Sequence, residues 1–141
     1  QMPLGIQRFM CVVDSHQEAL EYLDNARHQA RLASNLRRRE EVMDGSMLIE
    51  QPAHNEPTIE ELAENLLVGD CETIAERLCD EIRAARPSHM MFHFQVGASS
   101  FKKAMTSIEK FQTHIRPLVE KELGSLSELN NGGSNAQSVV A

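Results

Sequence analysis

Each strand-like run in this chain leads into a helix-like one before the next strand-like run begins. That alternation is the strongest constraint on the fold. A strand that leaves its sheet through a helix returns parallel to its starting direction. The order strand, helix, excursion, strand, helix, strand, helix therefore predicts an α/β protein with parallel strands and right-handed crossovers. The first strand is read at residues 6–13, apolar except for Gln7 and Arg8, which suits burial on both faces.

Capping residues set the helix starts. Ser15 with Glu18, and Thr58 with Glu61, have the spacing of capping boxes, in which each side chain satisfies a free amide of the other residue. A long helix follows Ser15, with Ala19, Leu20, Leu23, Ala26, Ala30, Ala33 and Leu36 at helical spacing, ending near Glu41. Residues 42–57 read as irregular because Gly45, Pro52, Asn55 and Pro57 interrupt them. A short helix runs through Asn65, and Leu66, Leu67 and Val68 form a brief strand closed by Gly69. Asp70 caps a third helix, with Cys71, Ile74, Ala75, Leu78, Cys79 and Ile82 as its apolar stripe, which must stop before Pro87. The last helix opens at Ser99 or Ser100, carries Phe101, Ala104, Met105, Ile108, Phe111 and Ile115 on one stripe, and kinks or ends at Pro117. From Gly124 onward Ser, Asn and Gly dominate. Residues 124–141 are therefore read as a disordered tail and residues 1–123 as the folded segment.

The clearest strand is residues 89–96. One face carries Met90, Phe92, Phe94 and Val96, and the other His89, Met91, His93 and Gln95. In a closed barrel the apolar face packs under the helices and the polar face points into the lumen, with ligand groups at the C-terminal ends of the strands. His93 and Gln95 are thus candidates for a substrate pocket, or else satisfied lumen residues. Gly97, Ala98, Ser99 and Ser100 open a helix, where free amides suit a phosphate, and Gly69 with Asp70 repeats that signal more weakly. Ordinary capping explains either loop equally simply. No metal site is expected: His89 and His93 would stand about 13 Å apart along one strand, and Cys71 and Cys79 lie on a core stripe.

A net charge of −7 argues against nucleic acid or an anionic membrane as the main partner. No apolar run approaches the ~20 residues that span a bilayer, and no signal peptide is evident. Three cysteines without a CxxC pair do not make a disulfide framework, which points to a reducing cytoplasm.

Three segments resemble the luciferase-like flavin-dependent monooxygenase family. The first runs from Gln7 through Asp14 and Ser15 to Ala19, like the family's sixth strand and following helix. The second is Leu67-Val68-Gly69-Asp70-Cys71-Glu72-Thr73-Ile74-Ala75-Glu76-Arg77-Leu78, similar to a "VG-x-P-E-x-V-A-E-R-L" passage after strand seven, with Cys71 where proline is usual. The third joins residues 89–97 to Phe111, Ile115 and Pro117, like strand eight and an "F-x-x-x-V-x-P" ending. The resemblance implies the C-terminal part, about three strand–helix units, of a (β/α)8 TIM barrel. Such a barrel needs about 250 residues, so the segment would be inactive in isolation. The resemblance implies reduced flavin mononucleotide (FMN) or, in some relatives, a deazaflavin that transfers hydride. It also implies O2, a small organic substrate and a flavin reductase partner. Catalytic residues are not carried over, because the family's flavin site is built largely from earlier strands. The alternatives are a non-catalytic α/β module that binds a partner or self-associates through open strand edges, and a small phosphate-binding α/β domain.

Overall fold

The computed structural model describes residues 3–39 and 41–127. It contains β1 (Gly5–Val12), α1 (His16–Arg38), β2 (Val42–Asp44), β3 (Met47–Ile49), α2 (Ile59–Asn65), β4 (Leu67–Gly69), α3 (Cys71–Ala85), β5 (His89–His93), α4 (Phe101–Lys110), a π-helical turn (Phe111–Ile115) and α5 (Arg116–Leu123). The chain is α/β, with a three-stranded parallel sheet and helices on both faces. No helix among the described residues is long and apolar enough to cross a membrane.

The strands lie in the order β4-β1-β5. Met10 pairs with Leu67 on one side of β1, and Gly5 through Phe9 pair with His89 through His93 on the other. The first strand in sequence is therefore the middle strand in space. Even-numbered residues of β1 face one way: Met10 and Val12 are buried with Leu67 under Ile74, Ala75 and Leu78 of α3 and Val119 of α5. Odd-numbered residues face the other way, where Cys11 and Val13 pack beneath Tyr22 and Ala26 of α1. The crossover from β1 to β4 and the longer one from β4 to β5 run in opposite directions across the sheet. Their helices must then lie on opposite faces if both crossovers have the same hand, and α1 and α3 do.

β5 is shorter than its sequence pattern predicts. Met90, Phe92 and Phe94 pack under α3 and Phe111 as expected, but the strand ends at His93. Beyond it the chain bends, and Val96 is buried under α1 with Cys11 and Tyr22, on the opposite face from Phe92. The bend leaves the β5 side of β1 without a strand partner beyond Phe9. Val13 donates its amide to Gly69 O at 2.9 Å on the β4 side, so the amide of Val12 points to the vacated side. There it meets Ser107 Oγ of α4 at 3.1 Å, and Tyr22 Oη reaches Met10 O at 3.3 Å. Burial pushes the Tyr22 hydroxyl above its ordinary pKa. Replacing Ser107 by alanine should strand a buried amide and lower stability by about 1–3 kcal/mol. Urea unfolding of the S107A variant checks this.

That bond also fixes the face of α4. Ala104 and Ser107 are buried, while Phe101, Met105 and Ile108 are exposed, which corrects the single apolar stripe expected from spacing. Pro117 neither kinks nor ends the helix abruptly. The helix widens into the π turn, where the Arg116 amide bonds back to Phe111 O, and Pro117 then occupies the first turn of α5, where its missing amide costs little.

Other boundaries follow their caps. Ser15 Oγ accepts the Glu18 amide, while the Glu18 carboxylate takes the amide of Asp14 rather than that of Ser15, so this is half a capping box. Thr58 and Glu61 complete theirs. α1 stops at Arg38 because Arg39 turns left-handed, and it turns Tyr22, Leu23, Ala26 and Asn35 inward while Leu36 is exposed. The excursion holds an antiparallel β2–β3 hairpin where none was expected, turning at Gly45 with φ 60°. Polar contacts fix the excursion to the second half of α1. Asn35 Oδ1 accepts the Gln51 amide at 2.8 Å, and Arg31 bonds Glu56 at 2.7 Å and Glu50 at 3.0 Å. Arg31 holds the Glu56 carboxyl at about 2. Because that value lies below the unfolded one, this clamp is intact above the ordinary carboxylate range and weakens as pH falls toward 2. Leu126 packs on the core. Residues 128–141 of the expected tail lie outside the described residues.

Candidate functional site

Where two neighbouring parallel strands send their helices to opposite faces, the loops at their carboxyl ends diverge and leave a crevice, the usual ligand position in open α/β sheets. β1 and β4 are such a pair. An open crevice of about 450 Å3 lies there, lined by Val13, Asp14, Ser15 and His16 from the first loop and by Gly69 and Asp70 from the second, with Ala19 behind.

Its lining brings together two carboxylates and two helix starts. Asp70 Oδ1 accepts the Thr73 amide at 2.8 Å, and bonds from the Thr73 amide and side chain hold the Asp70 carboxyl below the usual range. Asp14 Oδ1 accepts from Lys110 Nζ at 2.7 Å, and that bond raises the Lys110 ammonium above its ordinary value. α1 and α3 both present their N-terminal turns to this end of the sheet. The crevice thus offers carboxylate acceptors for hydroxyls beside the backbone amides of two helix starts, while Lys110 reaches it only through its bond to Asp14. Gly69 has ordinary backbone there, and a side chain added to it would meet Thr73 at ordinary contact distance.

The other sequence candidates lie elsewhere. His93 and Gln95 are exposed and do not line the crevice. The His93 ring stacks at a tilt on Phe9, 5.3 Å between centroids, and Gln95 Nε2 donates to Ser99 O at 3.2 Å. The loop after β5 is engaged by α1: the Gly97 amide donates to Gln29 Oε1 and the Ala98 amide to Asn25 Oδ1, each at 2.9 Å. Ser99 Oγ accepts the Val96 amide. Gly97 has φ 51°, and a Cβ there would stand 2.9 Å from Asn25 O, so only glycine fits this left-handed turn against α1. The structure therefore places Gly69 at a crevice and ties Gly97, Ala98 and Ser99 into α1 and their own turn. Asp14 and Lys110 escaped sequence reasoning, because their meeting depends on how α4 crosses the strand end. Burial pushes the Cys11 thiol up, and Cys79 is buried in the core. Both are packing residues.

No protein-family model matches the chain. It is similar to the uncharacterized protein y4vJ of Sinorhizobium fredii, with 35% identity over 112 residues, covering 79% of this chain and 32% of that protein. The chain spans about a third of the length of the curated relative it matches.

Proposed function

We propose that this chain is the C-terminal part of a luciferase-like flavin-dependent monooxygenase with a (β/α)8 barrel, and that the crevice beside Gly69 is where the segment meets reduced FMN. The observation that carries this is the position of the crevice at the carboxyl ends of two parallel strands. Both barrels and open parallel sheets bind phosphorylated cofactors at that end. The three family-like segments support it. So does the size of the relative: 112 residues are 32% of it, so it is about 350 residues long, within the span of a barrel with insertions.

Bound reduced flavin would supply the reaction with O2 that oxidises a small organic substrate. This chain's residues bind and orient. Asp14 and Asp70 would accept bonds from flavin chain hydroxyls, and the backbone at Gly69, which carries no side chain, would leave room for the phosphate on the side away from the Asp70 cap. In the whole barrel β5 would pair with β4 and α1 would join the other helices on the outside, so the loops that now border the crevice would become part of the pocket at the C-terminal ends of the strands. That single rearrangement would free the Gly97 and Ala98 amides from Asn25 and Gln29 and turn His93 and Gln95 toward the substrate. A separate reductase would deliver the flavin, in the cytoplasm. A deazaflavin with hydride transfer is the variant chemistry of the same site.

Flavin fluorescence titration tests this, with the chain alone and within its full reading frame. The full-length protein is expected to bind FMN, the isolated chain far more weakly. Gly69→Asp should weaken full-length binding roughly tenfold or more by setting a carboxylate against the phosphate. Full-length protein that binds neither FMN nor deazaflavin, or a G69D variant that binds normally, overturns the proposal. A second reading, a binding or self-association module, is favoured by the exposed Phe101, Met105 and Ile108 on α4 and by the open edge of β5.

A further inference from the structure

On the opposite end of β5 from the Gly97 loop lies a cavity of about 600 Å3, unrelated to the crevice. Its apolar wall is made by Leu78 and Ile82 of α3, Phe92 of β5, Phe111 of the π turn, and Val119 and Leu123 of α5. Volumes of 300–1,000 Å3 with mostly apolar walls and a few polar groups are typical of small-molecule sites. The rim carries Arg83, Arg86, Arg116 and His89. Arg83 is paired with Glu122 and Arg116 with Glu120 at 3.2 Å. Arg86 has no acidic partner among the described residues. It sits in the left-handed turn that ends α3, with φ 47°, which directs the chain across the cavity mouth into Pro87 and β5.

The π turn is an independent sign. Inserted π turns cost hydrogen-bond quality and concentrate at functional sites. Here Phe111 and Gln112, its first two residues, both line the cavity.

We propose that this cavity binds an amphipathic carboxylate, a single aliphatic chain lying against Phe92 and Phe111 with its carboxylate on Arg86. Charge decides the class: an apolar chamber whose free rim charge is a guanidinium favours an anionic head, and a guanidinium takes a carboxylate in two parallel bonds. Gln112 can donate a further bond to the head. A cation would meet the guanidinium of Arg86 without a carboxylate among the described lining residues to offset it and is disfavoured.

Decanoate is the probe, followed by calorimetry and by amide chemical shifts of the isotope-labelled chain. One decanoate per chain is expected, with shifts confined to residues 78–92 and 111–126. Arg86→Gln should weaken decanoate roughly tenfold or more through loss of the charge-assisted pair, while leaving the weaker binding of 1-decanol unchanged. Arg86 is exposed, so the variant should fold, and circular dichroism verifies that. No saturable binding of decanoate overturns the proposal. So does binding that R86Q leaves intact, or shifts centred on residues 13–19 at the crevice.

Discussion

Truncating Ile74 to alanine is expected to lower the unfolding free energy by about 2–5 kcal/mol, whereas the same truncation at Leu36 should move it by no more than about 0.5 kcal/mol. Both residues sit on apolar helical stripes in the sequence. Ile74 has no exposed surface and lies in the cluster that joins β1, β4, α3 and α5, against Met10, Val12 and Leu67. The small sheet cannot collapse into the space its side chain would leave, because helices press on it from one face and α1 from the other. Leu36 is 56% exposed on the last turn of α1. Urea unfolding followed by far-ultraviolet circular dichroism measures both. For a domain held by roughly 5–15 kcal/mol, the Ile74 loss is a large share of the total. A comparable loss at Leu36 would mean that α1 turns a different face to the sheet.

The contrast between these two residues marks how far the sequence could be read. Local chemistry was legible: Thr58 and Asp70 cap the helices they were expected to cap, α3 ends before Pro87, and the β4 run stops at Gly69. These depend on groups within four residues of each other. Faces were legible where a helix has one buried side, as in α3. They failed where a polar residue takes the inner position. Asn35 and Ser107 are buried because an amide from a distant segment needs each of them, and no local pattern announces that need. Strand order was not legible at all. A crossover helix carries a chain to either side of its strand, so alternation fixes parallel direction and leaves the neighbour open. The crevice inherits that ambiguity: the turn at Gly69 can be read locally, but Asp14 beside it follows from which strands lie side by side.

Cysteines placed at Gln7 and Met91 should form a disulfide on mild oxidation of this chain and stabilise it by up to about 4.6 kcal/mol, the loop-closure value for a loop of about 85 residues. The two residues are register partners on neighbouring parallel strands, and both are exposed. Strands about 4.8 Å apart put the Cα atoms within the 4.4–6.8 Å that a disulfide spans. Cys11 and Cys79 are buried and Cys71, which is partly exposed, is replaced by serine in both this chain and the full-length protein. In the barrel proposed for the full-length protein, β4 would stand between β1 and β5. The same positions would then lie about 10 Å apart, beyond a disulfide's reach. Mass spectrometry of the oxidised proteins separates the cases. A bond in this chain but not in the full-length protein means that β5 exchanges β1 for β4 when the remaining strands are present, and the two architectures are one sequence in two contexts. A bond in both means that the β4-β1-β5 sheet persists and the barrel is wrong. Absence of the bond even in this chain would overturn the strand order itself, and with it the switch-point origin of the crevice.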